Sequence, residues 1–329
     1  MEYRELGRTG LRVSAVGFGS GNIGGLMVRG EHAEQRAAVA LALESGINYF
    51  DTAAQYGEGR SEENLGRALR ELGAQAYVGT KVRLSPDQVG EAGAVLRRAL
   101  EDGLRRLGRY GVDVCTLHNP VTLAASPGGR SLAVDDVCGP VAEGLRALRD
   151  AGLTRFVGFT GLGDTAALKR VVSEAGFDTV QTYFNVINPS AGYPGSPDGI
   201  AQDFDGLIDH AAAAGMGVLA IRVMAAGALA ASPTRHPVAG DPGSVLAVGT
   251  EYGRDLARAE RLRPLVAELG LESPLELAVR FALAKPGVST ALLGPSDRAQ
   301  LAEALRWAER GPLPPDAVER ALALVRQAA

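Results

Sequence analysis

The chain has 329 residues, 46% apolar and 22% charged, with a net charge of −4 and an isoelectric point near 5.7. That composition supports a large buried core and lacks the basic surface that nucleic acid requires. No run of about 18 apolar residues occurs, so no membrane span is expected. The charged start Met1-Glu2-Tyr3-Arg4-Glu5 lacks the apolar core of a secretion signal, and the two cysteines, Cys115 and Cys138, form no metal-ligand pattern; a cytoplasmic protein is expected.

Residues 1–13 hold two short segments around Gly7-Arg8-Thr9-Gly10, read as a hairpin before the first long strand. Short apolar runs then fall at 15–19, 49–52, 76–82, 112–118, 156–161, 179–185, 217–223 and 290–294. Their near-continuous apolar character is that of parallel strands covered on both faces. Helical patterns alternate with them. Residues 31–45 end at Gly46, and 61–72 begin at Ser61, a candidate N-cap, and end at Gly73. In 91–107, Val95, Leu96, Ala99, Leu100, Leu104 and Leu107 share one face. Residues 141–151, 164–175, 204–214, 274–284 and 298–309 continue the series, and 313–329 add a C-terminal amphipathic helix.

Strand followed by helix, eight times over, is the (β/α)8 barrel pattern, and the N-terminal hairpin is expected on the barrel floor. An open doubly wound sheet is the competing architecture, and it normally uses fewer units. No low-complexity linker divides residues 1–329, which read as one domain. Three connections, 119–139, 186–203 and 224–254, are longer than a barrel needs. Each comes after a strand and so lies on the C-terminal face, where barrel active sites are built. Tyr193, Met224 and Tyr252 in or beside them are candidate pocket-lining residues.

Four proton-handling side chains converge on that face. Asp51 closes the second run, Tyr56 stands in the loop Gln55-Tyr56-Gly57, Lys81 closes the third run and His118 the fourth. Singly, each is an ordinary loop or core residue. Together they suit delivery of hydride to a carbonyl, which builds negative charge on oxygen and needs a proton donor within hydrogen-bond reach. A phenol with a pKa of about 10 is a reluctant donor and acceptor near neutrality. An adjacent ammonium, Lys81, favours its ionised form, Asp51 would hold Lys81 in place, and His118 could orient the carbonyl oxygen or help shuttle the proton. Lys81 could alternatively form a Schiff base, although a charged, Asp-paired lysine is a poor nucleophile.

The segments Gly46-Ile47-Asn48-Tyr49-Phe50-Asp51-Thr52-Ala53, Tyr56-Gly57, Ser61-Glu62, Asn64-Leu65-Gly66, Gly79-Thr80-Lys81 and Leu117-His118 together resemble the aldo-keto reductase superfamily. The resemblance covers nearly the whole chain. It implies a (β/α)8 barrel, a nicotinamide cofactor, a small carbonyl or alcohol substrate, and a catalytic tetrad of Asp51, Tyr56, Lys81 and His118. It also implies cofactor contacts. Gly19, Ser20 and Gly21 at the first strand's exit would meet the nicotinamide ribose, with Asp51 nearby; Thr160 and Gln181 would meet the carboxamide. Ser296, Arg298 and Gln300 would meet the adenosine end, with Glu303. Two positions depart from the pattern: Gly161 stands where many relatives carry Asn, and Ile221 or Arg222 where an aromatic often stacks on the nicotinamide. Superfamily usage implies NADP, with NAD as the other candidate. Some members of this family serve channels as cofactor-sensing subunits with little turnover, the alternative to an enzyme.

Two glycine clusters, Gly17-Phe18-Gly19-Ser20-Gly21-Asn22 and Gly158-Phe159-Thr160-Gly161-Leu162-Gly163, are read as turn material rather than as a dinucleotide-binding fingerprint. His32, His210 and His236 are scattered and suggest no metal site.

Overall fold

The computed structural model describes residues 1–125, 129–195, 202–242 and 252–326. It opens with an antiparallel pair, β1 (Tyr3–Glu5) and β2 (Arg12–Ser14), joined across the 3-10 turn Gly7–Thr9. Next in the chain are β3 (Val16–Gly19), β4 (Tyr49–Asp51), β5 (Tyr77–Val82) and β6 (Val112–Leu117). A two-residue pair, β7 (Val121–Thr122) and β8 (Leu132–Ala133), sits in the connection after β6. The set is completed by β9 (Thr154–Gly161), β10 (Thr179–Tyr183), β11 (Gly217–Ile221) and β12 (Val288–Leu293). Eight of these, in the order β3-β4-β5-β6-β9-β10-β11-β12, pair in parallel and close as β12 meets β3. This is the expected (β/α)8 barrel with its N-terminal hairpin.

The hairpin plugs one end. Its Leu6, Leu11 and Val13 pack with the barrel-interior side chains Tyr49, Val114, Leu219 and Leu292 in a single buried cluster. Gly7 lies so close to β11 that a Cβ there would sit 2.2 Å from the Gly217 nitrogen, and its φ of +52° is in the left-handed region that suits glycine. Arg4 adds a longer reach, donating from Nη1 to the Val288 carbonyl (3.0 Å) and from Nη2 to the Leu283 carbonyl (2.9 Å).

Helices cover the outside: His32–Glu44, Arg60–Glu71, Ala92–Leu107, Ala142–Asp150, Thr165–Glu174, Leu207–Ala213, Pro274–Ala284 and Arg298–Glu309 after the barrel strands in turn. Pro315–Arg326 is the extra C-terminal helix; the last residues of its expected span lie outside the described residues, as do parts of the three long connections. Cys115 is buried among core side chains, and that burial pushes its thiol up to about 12.

Several boundaries differ from expectation for physical reasons. The fifth and eighth barrel strands begin earlier, at Thr154 and Val288, where ladder pairing starts. Ser61 does not cap its helix. Gly59, at φ +94°, is the N-cap, and the Ser61 hydroxyl lies inside the first turn, donating to the Ser20 carbonyl (2.9 Å) and pairing with Thr52 Oγ1 (2.8 Å). The helix expected from residue 204 starts at Leu207, because Gly206 takes a left-handed conformation before it. The connection 224–254 and the residues after it hold structure that turn composition did not reveal: a 3-10 segment Ala225–Ala230 and helices Tyr252–Arg261 and Arg263–Glu268. Among the described residues, no helix is long and apolar enough to cross a membrane.

Candidate active site

Register brings the four proton-handling residues together. Gly19 of β3 pairs with Asp51 of β4, which pairs in turn with Gly79 of β5, two residues before Lys81. Lys81 is 1% exposed and Asp51 4%. A buried ammonium is tolerable only when paired and hydrogen-bonded. Lys81 Nζ donates to Asp51 Oδ2 (2.5 Å) and to the Thr52 carbonyl (2.8 Å), and Asp51 Oδ1 accepts from Gln181 Nε2 (2.5 Å). Beneath them, fully buried Glu62 accepts from Thr80 Oγ1 (2.5 Å) and from Arg106 Nε (2.7 Å). That contact pins the helix Arg60–Glu71 to the strand carrying Lys81.

Tyr56 sits in the turn before that helix, its N–H donating to the Ala53 carbonyl (3.1 Å). Lys81 Nζ lies 4.7 Å from the centre of its ring. His118 meets the same ring edge-on, with centroids 5.8 Å apart and planes at 87°. The His118 Nδ1 is 2.7 Å from Gln55 Oε1.

Burial pushes the Tyr56 phenol above its ordinary value; Lys81 draws it back down, Asp51 opposes that, and Arg222 assists Lys81. The ammonium acts on the phenol in the expected sense, but desolvation outweighs it. Desolvation also works against Lys81, yet Asp51 and Tyr56 overcome it and leave the amine above its usual value. The imidazole of His118 is pushed well below its ordinary range by burial and by the nearby cations Lys81 and Arg83.

Asp51, Tyr56 and His118 line a cavity of about 490 Å³, a volume suited to a small-molecule ligand. Of the residues expected from sequence, Gly19, Gly21, Asp51, Tyr56, His118, Thr160, Gln181, Arg222, Ser296 and Gln300 line it. Lys81 is not part of the lining and reaches it only through its bond to Asp51. Ser20 is 2% exposed and lies under the surface, its N–H donating to the Asp51 carbonyl (2.9 Å). Arg298 is exposed and stands outside the lining, its backbone N–H donating to Glu34 (2.7 Å). Asp297 caps the last barrel helix by accepting from the Gln300 N–H (2.8 Å), and it pairs with His236 at 3.2 Å. Met224 and Tyr252 line the cavity, but Tyr193 packs elsewhere, between Phe184 and Phe281 and beneath Lys285.

Two polar atoms in the cavity wall are buried without a hydrogen-bond partner among the described residues: Thr160 Oγ1 and Arg222 Nη1. Arg222 holds a left-handed φ of +60°, its carbonyl accepts from Asn185 Nδ2 (3.0 Å), and its guanidinium lies 5.5 Å from the Tyr183 ring centre. Sequence reading missed Arg235 and His236, which also line the cavity. Arg235 donates to the Ala226 carbonyl (2.7 Å), to Tyr252 Oη (2.9 Å) and to the Gly240 carbonyl (2.9 Å). It also missed Asn22, whose side chain accepts from the Gly57 N–H (2.9 Å) and donates to the Gln55 carbonyl (3.4 Å). Asn22 sits in the glycine cluster after the first strand, the only signal that pointed to it.

Comparison with known proteins agrees with this geometry. The model of the aldo/keto reductase family matches residues 15–326. The chain is 27% identical to L-galactose dehydrogenase of Arabidopsis thaliana over 92% of its own length and 86% of that protein. It is 26% identical to a probable voltage-gated potassium channel subunit beta of Oryza sativa subsp. japonica, over 99% of its own length and 97% of that protein. The solved holo form of the aldo-keto reductase AKR11C1 from Bacillus halodurans shares the fold, with a TM-score of 0.73 at 22% identity over 98% and 96% of the two chains. A closed parallel barrel, the buried Lys81–Asp51 pair beside Tyr56 and His118, and a family match across nearly the whole chain lead to one conclusion: the protein belongs to the aldo/keto reductase family, oxidoreductases that use a nicotinamide cofactor on small carbonyl or alcohol substrates.

Proposed function

We propose that the protein interconverts a carbonyl and an alcohol, that Tyr56 exchanges the proton at the reacting oxygen, and that NADP is the preferred cofactor. The observation that carries this reading is the cluster Asp51–Lys81–Tyr56–His118, of which Asp51, Tyr56 and His118 line the same cavity as Ser296 and Gln300.

The residues present fit a dinucleotide. Thr160 offers an unpartnered buried hydroxyl and Gln181 a side-chain carbonyl to a carboxamide. Gly19 and Gly21 let backbone come close to a ribose, with Ser20 fixing that backbone from beneath. Arg222 brings an unpartnered guanidinium nitrogen, suited to an anionic oxygen of the cofactor. Ser296 and Arg235, both in the cavity wall, support a 2′-phosphate over a free hydroxyl.

A bound nicotinamide supplies or takes the hydride. Tyr56, kept protonated by burial, donates to the oxygen as charge grows there, and Lys81 stabilises the phenolate left behind. Asp51 holds Lys81 in register and is itself held by Gln181. His118 borders the same space and orients the substrate.

The test is a thermal-shift titration with NADPH and NADH followed by a panel of carbonyls and alcohols, run on the parent and on Tyr56→Phe. Cofactor-dependent turnover that collapses in the variant supports the reading; turnover that survives it removes Tyr56 from the role. The long match to a channel beta subunit favours a second reading, a cofactor-sensing subunit. Tight cofactor binding with no turnover across the panel would decide for it.

A further inference from the structure

A second phenol stands close to Asp51. Tyr49 precedes it by two residues on β4, so both side chains leave the strand on the same face. The Tyr49 ring is fully buried in the floor cluster with Leu6, Leu11 and Val13. Its hydroxyl lies against Gly79 of β5. A Cβ at Gly79 would sit 2.3 Å from Tyr49 Oη and 3.7 Å from Asp51 Oδ1. Glycine thus admits the hydroxyl where a larger residue would collide with it, and the hydroxyl and the carboxylate border one small volume.

Each of the two groups has capacity to spare. Tyr49 Oη has no hydrogen-bond partner among the described residues. A buried hydroxyl left so is costly, and an ordered water is a common remedy when the polar groups stand too far apart to bond directly. Asp51 Oδ2 accepts from Lys81 and Oδ1 from Gln181, which leaves Oδ1 able to accept once more. Burial holds the Tyr49 phenol well above its ordinary value, and the charges of Asp51 and Asp113 add to that. Asp113, on β6, is itself engaged by the Val78 N–H (2.9 Å) and by Arg155 Nη1 (2.8 Å). A phenol that keeps its proton serves a carboxylate as a standing donor.

We infer that Tyr49 holds one buried water against Asp51 Oδ1, the hydroxyl donating to the water and the water to the carboxylate, so that Asp51 stays ionised and in place for Lys81. This rests on the proposed role of Asp51 and Lys81 beside Tyr56. Tyr49 is outside the cavity lining and is a positioning residue, acting through Asp51.

Tyr49→Phe keeps the ring in the floor cluster and removes only the hydroxyl. Three measurements on the full-length protein test the inference. A high-resolution crystal structure of the parent should show a water within hydrogen-bond reach of both Tyr49 Oη and Asp51 Oδ1; a site without one overturns the inference. The second is a ¹³C carboxyl titration of aspartate-labelled protein, with the Asp51 signal assigned by its loss in Asp51→Asn. Losing a donor disfavours the ionised carboxylate, so in Tyr49→Phe Asp51 should protonate at a pH higher by roughly one unit, the scale of one modest hydrogen bond. An unchanged Asp51 titration overturns the inference even where turnover falls, because the hydroxyl then acts through packing alone. In the third, the acid limb of the kcat/KM profile should move up together with the Asp51 titration, while the dissociation constant of the reduced cofactor stays put. A limb that does not follow Asp51 overturns the positioning role. Absence of turnover with any carbonyl defeats the functional reading, while the water and the carboxyl titration still decide whether Tyr49 holds Asp51.

Discussion

Lys81 Nζ lies 2.5 Å from Asp51 Oδ2 with both side chains buried, and the same ammonium stands 4.7 Å from the Tyr56 ring centre. One cation therefore faces both a buried carboxylate and the phenol proposed to exchange the proton, so its removal has two separable consequences.

Lys81→Met leaves the Asp51 charge buried without its partner. Removing one member of a buried pair costs about 3–5 kcal/mol, and urea denaturation should show a loss of that size. The double variant Lys81→Met/Asp51→Asn should recover part of it. The Lys81 amine is raised above its ordinary value, so its contribution is fully present at neutral pH and is lost only as pH rises through that raised value. In the pH–rate profile the phenol loses its neighbouring cation, and the apparent pKa should move up. Asp51→Asn should lower activity less than Lys81→Met; a fully active Asp51→Asn beside a dead Lys81→Met would make the pairing unnecessary to the chemistry.

Tyr56→Phe keeps the ring and its contacts with Lys81 and His118 but removes the hydroxyl. Turnover should fall by about 10²-fold or more, the scale of lost general acid catalysis, while the dissociation constant of the reduced cofactor, followed by fluorescence, stays near that of the parent.

His118 gives a pH signature in stability. Its folded-state value lies below that of the unfolded chain, so the unfolded state binds more protons in the window between the two. Stability should drop as pH falls below about 6.5 and level off once the folded-state value is passed. In His118→Asn the acid-side decline in Tm should be shallower; a decline identical to the parent's assigns the effect to other groups.

Cofactor choice separates two arginines. Arg235 is in the cavity wall and Arg298 is exposed outside it. The ratio of kcat/KM for NADPH over NADH should favour NADPH in the parent and shrink in Arg235→Ala by about 1.5–3 kcal/mol, the range of a hydrogen bond to a charged group. Arg298→Ala should move it less. A parent that prefers NADH would rule out recognition of a 2′-phosphate by either side chain.

The barrel was legible because each strand is an apolar run and each helix has its own period, signals that survive without knowledge of contacts. Asp51, Lys81 and His118 were legible for a related reason: a polar residue ending an apolar run has its position fixed by the strand before it. Residues placed by loop geometry were not. Arg235 reaches the cavity through bonds to the Ala226 and Gly240 carbonyls, in a segment with no periodicity. Tyr193 lies in a long connection, yet its ring belongs to an aromatic cluster with Phe184 and Phe281 that only the fold assembles. Ser61 has the residue type of a cap, but the left-handed Gly59 places the cap earlier and leaves the hydroxyl for Ser20 and Thr52.

The Arg4 bond to the Val288 carbonyl joins residues 284 apart in sequence, and the β12–β3 seam beside it spans almost as much chain. Contacts of that separation are late and slow to form. During synthesis one edge of β3 stays without its partner until β12 has left the ribosome, and an open strand edge invites pairing with other chains. The last barrel strand is thus the step that converts an aggregation-prone nascent chain into a closed one, and a stop codon before residue 288 should yield an insoluble product rather than a smaller soluble protein.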